Sequence, residues 1–479
     1  MPGGGLLQLV AYGAQDVYLT GDPKVTFFQA TYKRHTNFAM ELVQQNVSGA
    51  GSLQSVVLSR SGDLVGDMFV SLTPTTSSAA QLTSNNVVAD MNWVAERAFN
   101  SVTLFIGGQQ IDKHYQTWFR LYAELYHDES KKFDYGRLTS LAVVDNRPSS
   151  TTSVGKVYLP LMFFFNKNPG LYLPIIALQY HEVRIDFEFT PYYANYFGIN
   201  PIEVWANYMY LDTNEREKFA KLNHEYLIEQ VQHVAPEPAG GSSENAPLLI
   251  RLQYNHPVKE LIWCYTAPTV AQNPNSLWNF SSGVANVNVT CDLNKVALSA
   301  TTLAAHWCGS PLLYVPTYGS SNLTMTQNTF VTVSNILSFS NIAVQSNVLA
   351  GNVFWLESGL PQPSSTTGYG YEVGPLHQFK LLMNGTDRFV PQPGKYFNQY
   401  QTYRYHTGTP YPGIYVYSFA LKPEELQPSG ACNFSRIDIA QAAVYLKTGM
   451  PTNLVQRMFA INYNILRIQS GLGGLAFSN

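Results

Sequence analysis

Leu211–Val234, LDTNEREKFAKLNHEYLIEQVQHV, is the turning point of the chain. Its first half is charged and helical in pattern. Asp212 followed three residues later by Glu215 has capping-box spacing, in which each side chain covers a backbone N–H left open at a helix start. Glu217 and Lys221 stand at i,i+4, a mildly stabilising pair when exposed. Beyond His224 the pattern changes to Tyr226, Ile228 and Val231 among β-branched residues, which reads as a strand. The stretch therefore predicts a short connector helix, 213–223, leading into a second unit.

The residues on either side support two units, because four signatures recur in the same order. FAMELVQQ (Phe38–Gln45) returns as YLIEQVQH (Tyr226–His233), with Glu41 matching Glu229. DMFVSLTP (Asp67–Pro74) returns as ELIWCYTAP (Glu260–Pro268), and LFIGGQQIDK (Leu104–Lys113) as LLMNGTDRF (Leu381–Phe389). HEVRIDFEF (His181–Phe189) returns as NFSRIDIAQ (Asn433–Gln441), sharing Arg-Ile-Asp. Four matches in order argue for an internal duplication. The copies differ mainly by a long stretch in the second, 269–376, rich in Asn, Ser, Thr and Val. It is expected to form extra strands and loops.

Expected strands in the first copy are Asn37–Val47, Leu53–Arg60, Leu64–Thr73, Val102–Ile106, Val157–Phe165, Ile175–Thr190 and Ile202–Leu211. Within them Val183–Phe189 alternates with period two, one face to a core and one to solvent. His114–Tyr126 is the helix expected in this half, with Trp118, Leu121, Tyr122 and Leu125 on one face. Each copy has about eight strands joined by long connections. That suits two packed sheets, a jelly roll better than a meander or a propeller, which would need four or more repeats. The division expected is an N-terminal arm, 1–23, ending at Gly21-Asp22-Pro23; a first unit, 24–212; the connector, 213–223; and a second unit, 224–479, carrying the insertion 269–376.

Composition narrows the function. Charged residues make up 13% of the 479 residues, against ~25% in ordinary soluble proteins, so much of the exterior is polar-neutral or covered by other protein. Net charge is −3, which offers no basic field for nucleic acid. The 31 Tyr and 26 Phe suit half-buried strands with aromatic cross-strand pairs. MPGGGLLQLV lacks the basic and long apolar regions of a secretory signal, no apolar run approaches the ~20 residues of a membrane span, and a soluble, cytosol-made protein is expected. Cys264, Cys291, Cys308 and Cys432 lack zinc-ligand spacing and are expected as free thiols.

Catalytic signatures are absent or weak: there is no GxxxxGK[ST] loop and no GxSxG elbow. His181-Glu182 and His224-Glu225 begin like a zinc helix but lack the second histidine. Gly471-Leu472-Gly473-Gly474 reads as a tightly turning tail rather than a phosphate loop. Asp186, Glu188 and Glu182 could supply a glycosidase pair, but Arg184/Asp186 and Arg436/Asp438 read better as equivalent structural ion pairs in the two copies. No catalytic residue, metal ligand or cofactor is expected. Sequons occur at Asn46, Asn279, Asn288, Asn322, Asn384 and Asn433. Asn279, Asn288 and Asn322 lie in the insertion, and chance is the default reading of all six. Tyr32-Lys33-Arg34-His35 is the most basic short run and reads as a solvated edge or subunit contact.

Longer stretches carry a family resemblance. GGLLQLVAYGAQDVYLTGDPKVTFFQATYKRHTNFAMELV (Gly4–Val43), IGGQQIDKHYQTWFRLY, LPLMFFFNKNPGLYLPIIALQYHEVRI, LDTNEREKFAKLNHEYLIEQ, FALKPEELQPSGACNFSRIDIA and NYNILRIQSGLGGLAFSN strongly resemble the major capsid proteins of nucleocytoplasmic large DNA viruses. The phycodnavirus and chlorovirus branch is the most similar. The resemblance implies an all-β fold of two consecutive eight-stranded antiparallel jelly rolls, joined by a short helical connector and standing upright in the shell. It implies a homotrimer of pseudo-hexagonal outline, many of which tile an icosahedral capsid beside neighbouring capsomers. Minor capsid proteins and inner viral membrane proteins would lie near the N-terminal arm, and the insertion would face the virion exterior. No direct contact with nucleic acid is implied. The protein would be made and assembled in the host cytoplasm. Some members carry glycans at atypical sites, so the sequons neither establish nor exclude glycosylation. A second reading is a carbohydrate-binding or carbohydrate-cleaving β-sandwich, motivated by Tyr314, Tyr318, Trp355, Tyr369 and Tyr371 of the insertion, since sugars stack on exposed aromatics.

Overall fold

Alternating apolar residues build the same two-sheet unit twice. The computed structural model describes residues 3–49, 51–74, 93–139, 155–191, 193–266, 374–410, 413–448, 450 and 453–477, with five short strands between 287 and 357. The first unit contains β1 (Phe38–Gln45), β2 (Leu53–Val57), β3 (Leu64–Leu72), β4 (Phe99–Ile106), β5 (Gln109–Tyr115), β6 (Val157–Pro160), β7 (Val183–Phe189) and β8 (Glu203–Leu211). Its sheets run β1-β8-β3-β6 and β2-β7-β4-β5. Val65, Met68, Val70 and Val204 of one sheet meet Val56, Val102, Leu104, Ile185 and Phe187 of the other in one buried core.

The second unit repeats this order with β9 (His224–His233), β10 (Leu248–Leu252), β11 (Pro257–Thr266), β12 (Leu376–Met383), β13 (Thr386–Asp387), β14 (Ile414–Ser418), β15 (Ala440–Leu446) and β16 (Val455–Gln469). The sheets run β9-β16-β11-β14 and β10-β15-β12-β13, and β17 (Leu472–Leu475) folds back on β16. Leu261, Trp263, Phe379, Phe397 and Val444 anchor its core. In both units the first, eighth, third and sixth strands form one sheet and the second, seventh, fourth and fifth the other. This is jelly-roll order, and the fold is a double jelly roll. The repeated signatures fall on the first, third and fourth strands of each. The two hairpins after β4 and β12 turn on Gly107-Gly108 and Asn384-Gly385, all four with positive φ.

Two helices follow β5: α1 (Gln116–Tyr126) and α2 (Glu129–Thr139). The connector is α3 (Thr213–Lys221), inside the expected 213–223. α2 was not anticipated, because ESKKFDYGRLT has no apolar stripe at helical spacing. The run Val157–Phe165 is a strand only to Pro160; Phe164–Lys167 turns as a short helix, and Met162–Phe165 are buried without being paired. Ile175–Thr190 likewise becomes a strand only at Val183, since Pro174 starts a 3-10 turn over Ile175–Ala177. These apolar runs are buried on all sides, and full burial does not require a strand.

The arm forms a separate unit, Met1–Phe38, longer than the expected 1–23. It holds a helix at Gly4–Val10 and a turn at Val17–Thr20, with no buried residue in either. Residues 24–37 form no strand, and Phe27 and Phe28 are fully exposed, so the first barrel starts at β1 and not at residue 24. The insertion contributes a sheet of strands Val287–Asp292, Leu303–His306, Leu313–Val315, Phe330–Val333 and Val353–Glu357. Among the described residues, no helix is long and apolar enough to cross a membrane.

Candidate functional site: the seam between the barrels

Charged side chains are scarce in this chain, and many of them lie buried where the two barrels meet. The seam is organised by α1, which leaves β5 directly and is apolar on two sides. Phe119 and Ala123 enter the first core, while Trp118, Leu121 and Leu125 lie on Ile262, Cys264, Ile414, Val416, Phe459 and Ile461 of the second barrel. This explains why β11 is buried almost throughout. Leu261, Trp263 and Tyr265 face their own core, and the alternate residues face α1. Trp118 rests on Phe459 with centroids 5.5 Å apart. Burying such a set removes apolar area from water at about 25 cal/mol per Å².

Polar groups at the seam are matched across it. Asp112 on β5 accepts from the backbone N–H of Val231 at 3.0 Å and lies 3.0 Å from His114 Nε2. Gln230 donates to the Ile111 carbonyl. Lys132 on α2 donates to the carbonyl of Thr409 in the second barrel at 2.7 Å, and Gly408 donates its N–H to the Leu125 carbonyl at 3.0 Å. Tyr126 donates its phenol to Glu260. Glu260 Oε2 lies 3.0 Å from Nε2 of His406, whose Nδ1 lies 3.3 Å from Glu424 Oε1. Burial works against a charged His406, but Glu260 and Glu424 overcome it and raise its pKa to about 9. Lys259 pairs with Glu229 and donates to the Pro423 carbonyl at 2.7 Å; burial lowers its pKa against the pull of Glu229.

A second buried cluster braces α1 within the first barrel. Arg120 Nη2 lies 3.0 Å from Glu124 Oε1, Nη1 lies 3.5 Å from Glu96 Oε1, and the guanidinium lies 4.0 Å from the Trp93 ring centroid. Tyr135 of α2 donates to Glu96 at 2.7 Å. Burial nonetheless raises Glu96 to about 7, because Arg120, Tyr135 and Arg97 offset only part of its lost hydration. These groups hold α1, α2 and the segment around Glu96 together. Among the described residues there is no cluster that could hold a metal ion. A polar cleft of about 300 Å³ beside the connector is lined by Gln179, Tyr180, Lys221, Asn223 and Ser470, and its one cation is bound to Glu217.

The anticipated residues are placed as follows. Arg184 Nε lies 2.9 Å from Asp186 Oδ1 on the outer face of β7, and Ser55 also donates to Asp186 at 2.7 Å. Arg436 and Asp438 do not repeat this pair. Both are exposed in the turn before β15, and no described ion pair joins them. The shared Arg-Ile-Asp therefore precedes the second barrel's seventh strand, which starts at Ala440. Glu217 and Lys221 meet at 2.8 Å, largely in solvent. Asp212 makes no side-chain cap on α3, so the capping box does not form. Asp63 takes over this end of the helix, accepting the Leu211 N–H at 2.9 Å and pairing with Arg216 at 2.9 Å, and Glu215 remains only an acidic first-turn residue. His181 Nδ1 lies 2.8 Å from the Gly473 carbonyl and His224 Nε2 2.8 Å from that of Phe219. Cys264 and Cys432 are free thiols. Asn288, Cys291, Tyr314 and Trp355 fall on insertion strands. Asn279, Asn322, Cys308, Tyr318, Tyr369 and Tyr371 lie outside the described residues.

The sequence reading missed the seam's charges. Their signal is present: Lys259-Glu260 interrupts the apolar run of β11, and Arg120 and Glu124 stand one helical turn apart among Trp118, Phe119 and Leu121. Charges embedded in apolar runs mark buried pairs.

Two jelly rolls in tandem, locked by an apolar helix and a matched polar seam, define a double-barrel capsid subunit. The chain belongs to the major capsid proteins of large eukaryotic DNA viruses. Residues 215–474 match the family described as large eukaryotic DNA virus major capsid protein, and residues 26–212 match the major capsid protein N-terminus. The major capsid protein of Paramecium bursaria Chlorella virus 1 is 37% identical, over 99% of this chain and 100% of that protein. That of Phaeocystis pouchetii virus is 36% identical, again over 99% and 100%. Among solved structures, the subunit in the PBCV-1 virus capsid matches with a TM-score of 0.66 and 32% identity, covering 95% of this chain and 100% of that one. The Faustovirus major capsid protein, 12% identical with a TM-score of 0.58 over 96% and 94%, shares the fold.

Proposed function

We propose that this capsid protein acts as a homotrimer of pseudo-hexagonal outline, and that such capsomers tile an icosahedral shell. The observation that carries this is the doubled barrel. Two alike units per chain give six alike units around a three-fold axis, so a trimer can sit on a near-six-fold lattice. The low charge supports flanks covered by neighbouring capsomers. In this reading the boundaries of the working parts are the arm, the two barrels and the connector. The insertion faces outward, and the arm reaches minor capsid proteins and inner-membrane proteins, with assembly in the host cytoplasm. The protein is a structural element without catalytic activity, a reading supported by buried charged groups that join one element to another at the seam. Any glycan on the insertion would use Asn279, Asn288 or Asn322. Cryo-electron microscopy of the purified protein tests the reading: three-fold particles with six barrel-shaped densities are expected, and isolated double barrels would refute it.

A further inference from the structure

Within the chain, the outer face of the second barrel's β9-β16-β11-β14 sheet is covered by α1, the helix that follows the first barrel's fifth strand. On the matching face of the first barrel Asp67 is exposed and Phe69 and Trp205 are half-buried. Ile262 pairs with Val416 on one side and Phe459 on the other; at the same place Phe69 pairs with Pro160 and Trp205. The repeat places Asp67 where Glu260 stands. On β1, Val43 and Gln45 turn to the barrel's own core, which puts Met40 and Leu42 on the opposite, outer face. Met40 and Leu42 are 62% and 49% exposed.

The counterpart of α1 is the helical segment Tyr396–Tyr405, which follows the second barrel's fifth strand. It buries Phe397, Asn398, Gln401 and Thr402 in its own barrel. Its other side carries Tyr400 and Tyr403, 57% and 87% exposed, with Arg404 beside them. Two exposed tyrosines at i,i+3 and a cation complement a face bearing Phe69, Trp205, Met40, Leu42 and the carboxylate of Asp67.

We propose that segment 396–405 of a second copy of this chain covers the first barrel's outer sheet, as α1 covers the second barrel's within one chain. The proposal rests on the trimer reading and deepens it by naming the contact. Each barrel then meets the next through the same kind of helix-on-sheet interface, alternately within and between chains. Repeated with a 120° rotation between copies, such a head-to-tail contact closes into a ring of three.

The test uses the full chain. Y403D and F69D should each weaken trimer association at least tenfold by sedimentation, with far-UV circular dichroism unchanged. A charge swap, D67R with R404D, should associate more tightly than either single variant. Independently of any loss of stability, the D67C/R404C pair should give a covalent trimer under mild oxidation that neither single variant gives. A parent protein that forms trimers, combined with variants that remain trimeric and a cysteine pair that does not link copies, overturns this surface while leaving the trimer standing. A parent protein that stays monomeric overturns the trimer itself.

Discussion

The Nε2 of His406 and Oε2 of Glu260 lie 3.0 Å apart with both side chains shut off from water, and Tyr126 of the first barrel donates to the same carboxylate. One carboxylate in the second barrel thus fixes the end of a helix belonging to the first. Removing His406 leaves that carboxylate buried and uncompensated. H406A should therefore lower stability by roughly 3–5 kcal/mol, read from chemical denaturation.

The same pair sets a pH window. His406 has its folded pKa raised to about 9 from 6.5, so its stabilising effect is complete below about pH 6.5 and lost as pH rises through 9. The wild type should lose roughly 3 kcal/mol relative to H406Q between pH 6 and pH 10. Equal slopes for the two proteins would remove His406 from the account.

Glu96 titrates on the opposite side of neutrality. Its folded pKa is raised from 4.5 to about 7, so its ionisation costs stability as pH rises between those values. E96Q keeps an acceptor for Tyr135, and it should stabilise the protein at pH 8 by up to roughly 3 kcal/mol while changing little at pH 4. Thermal unfolding at the two pH values measures this.

Trp118 carries the apolar half of the seam. W118A should cost about 3–5 kcal/mol. Because the lost contacts lie between the barrels, limited proteolysis should then cut sooner at the exposed connector, residues 213–223. By contrast, Arg184 and Asp186 pair at a surface where Arg184 is half exposed, so R184A should change stability by less than about 1 kcal/mol.

Much of the architecture was legible in the sequence because strands and hairpin turns are local. FAMELVQQ and YLIEQVQH, or Gly107-Gly108 and Asn384-Gly385, carry their positions in their own residues. The Arg436/Asp438 pair failed because three shared letters do not fix strand register, and the second barrel starts its seventh strand two residues after Asp438. The Asp212 cap does not form, and the contacts at that helix end run to Asp63, distant in sequence, which accepts the Leu211 N–H and pairs with Arg216. The seam was missed for the same reason. Glu260, His406 and Tyr126 are scattered along the chain, and only packing of one barrel on the other brings them together. The arm's length was misjudged because Gly21-Asp22-Pro23 marks a turn, and a turn does not state where a core begins.

The most direct test of the capsid-subunit account is the mass of the purified chain in solution, measured by multi-angle light scattering over a wide concentration range. The account predicts about 160 kDa, three times the 53.4 kDa of one chain. A mass that stays at that of the single chain at every concentration would contradict it.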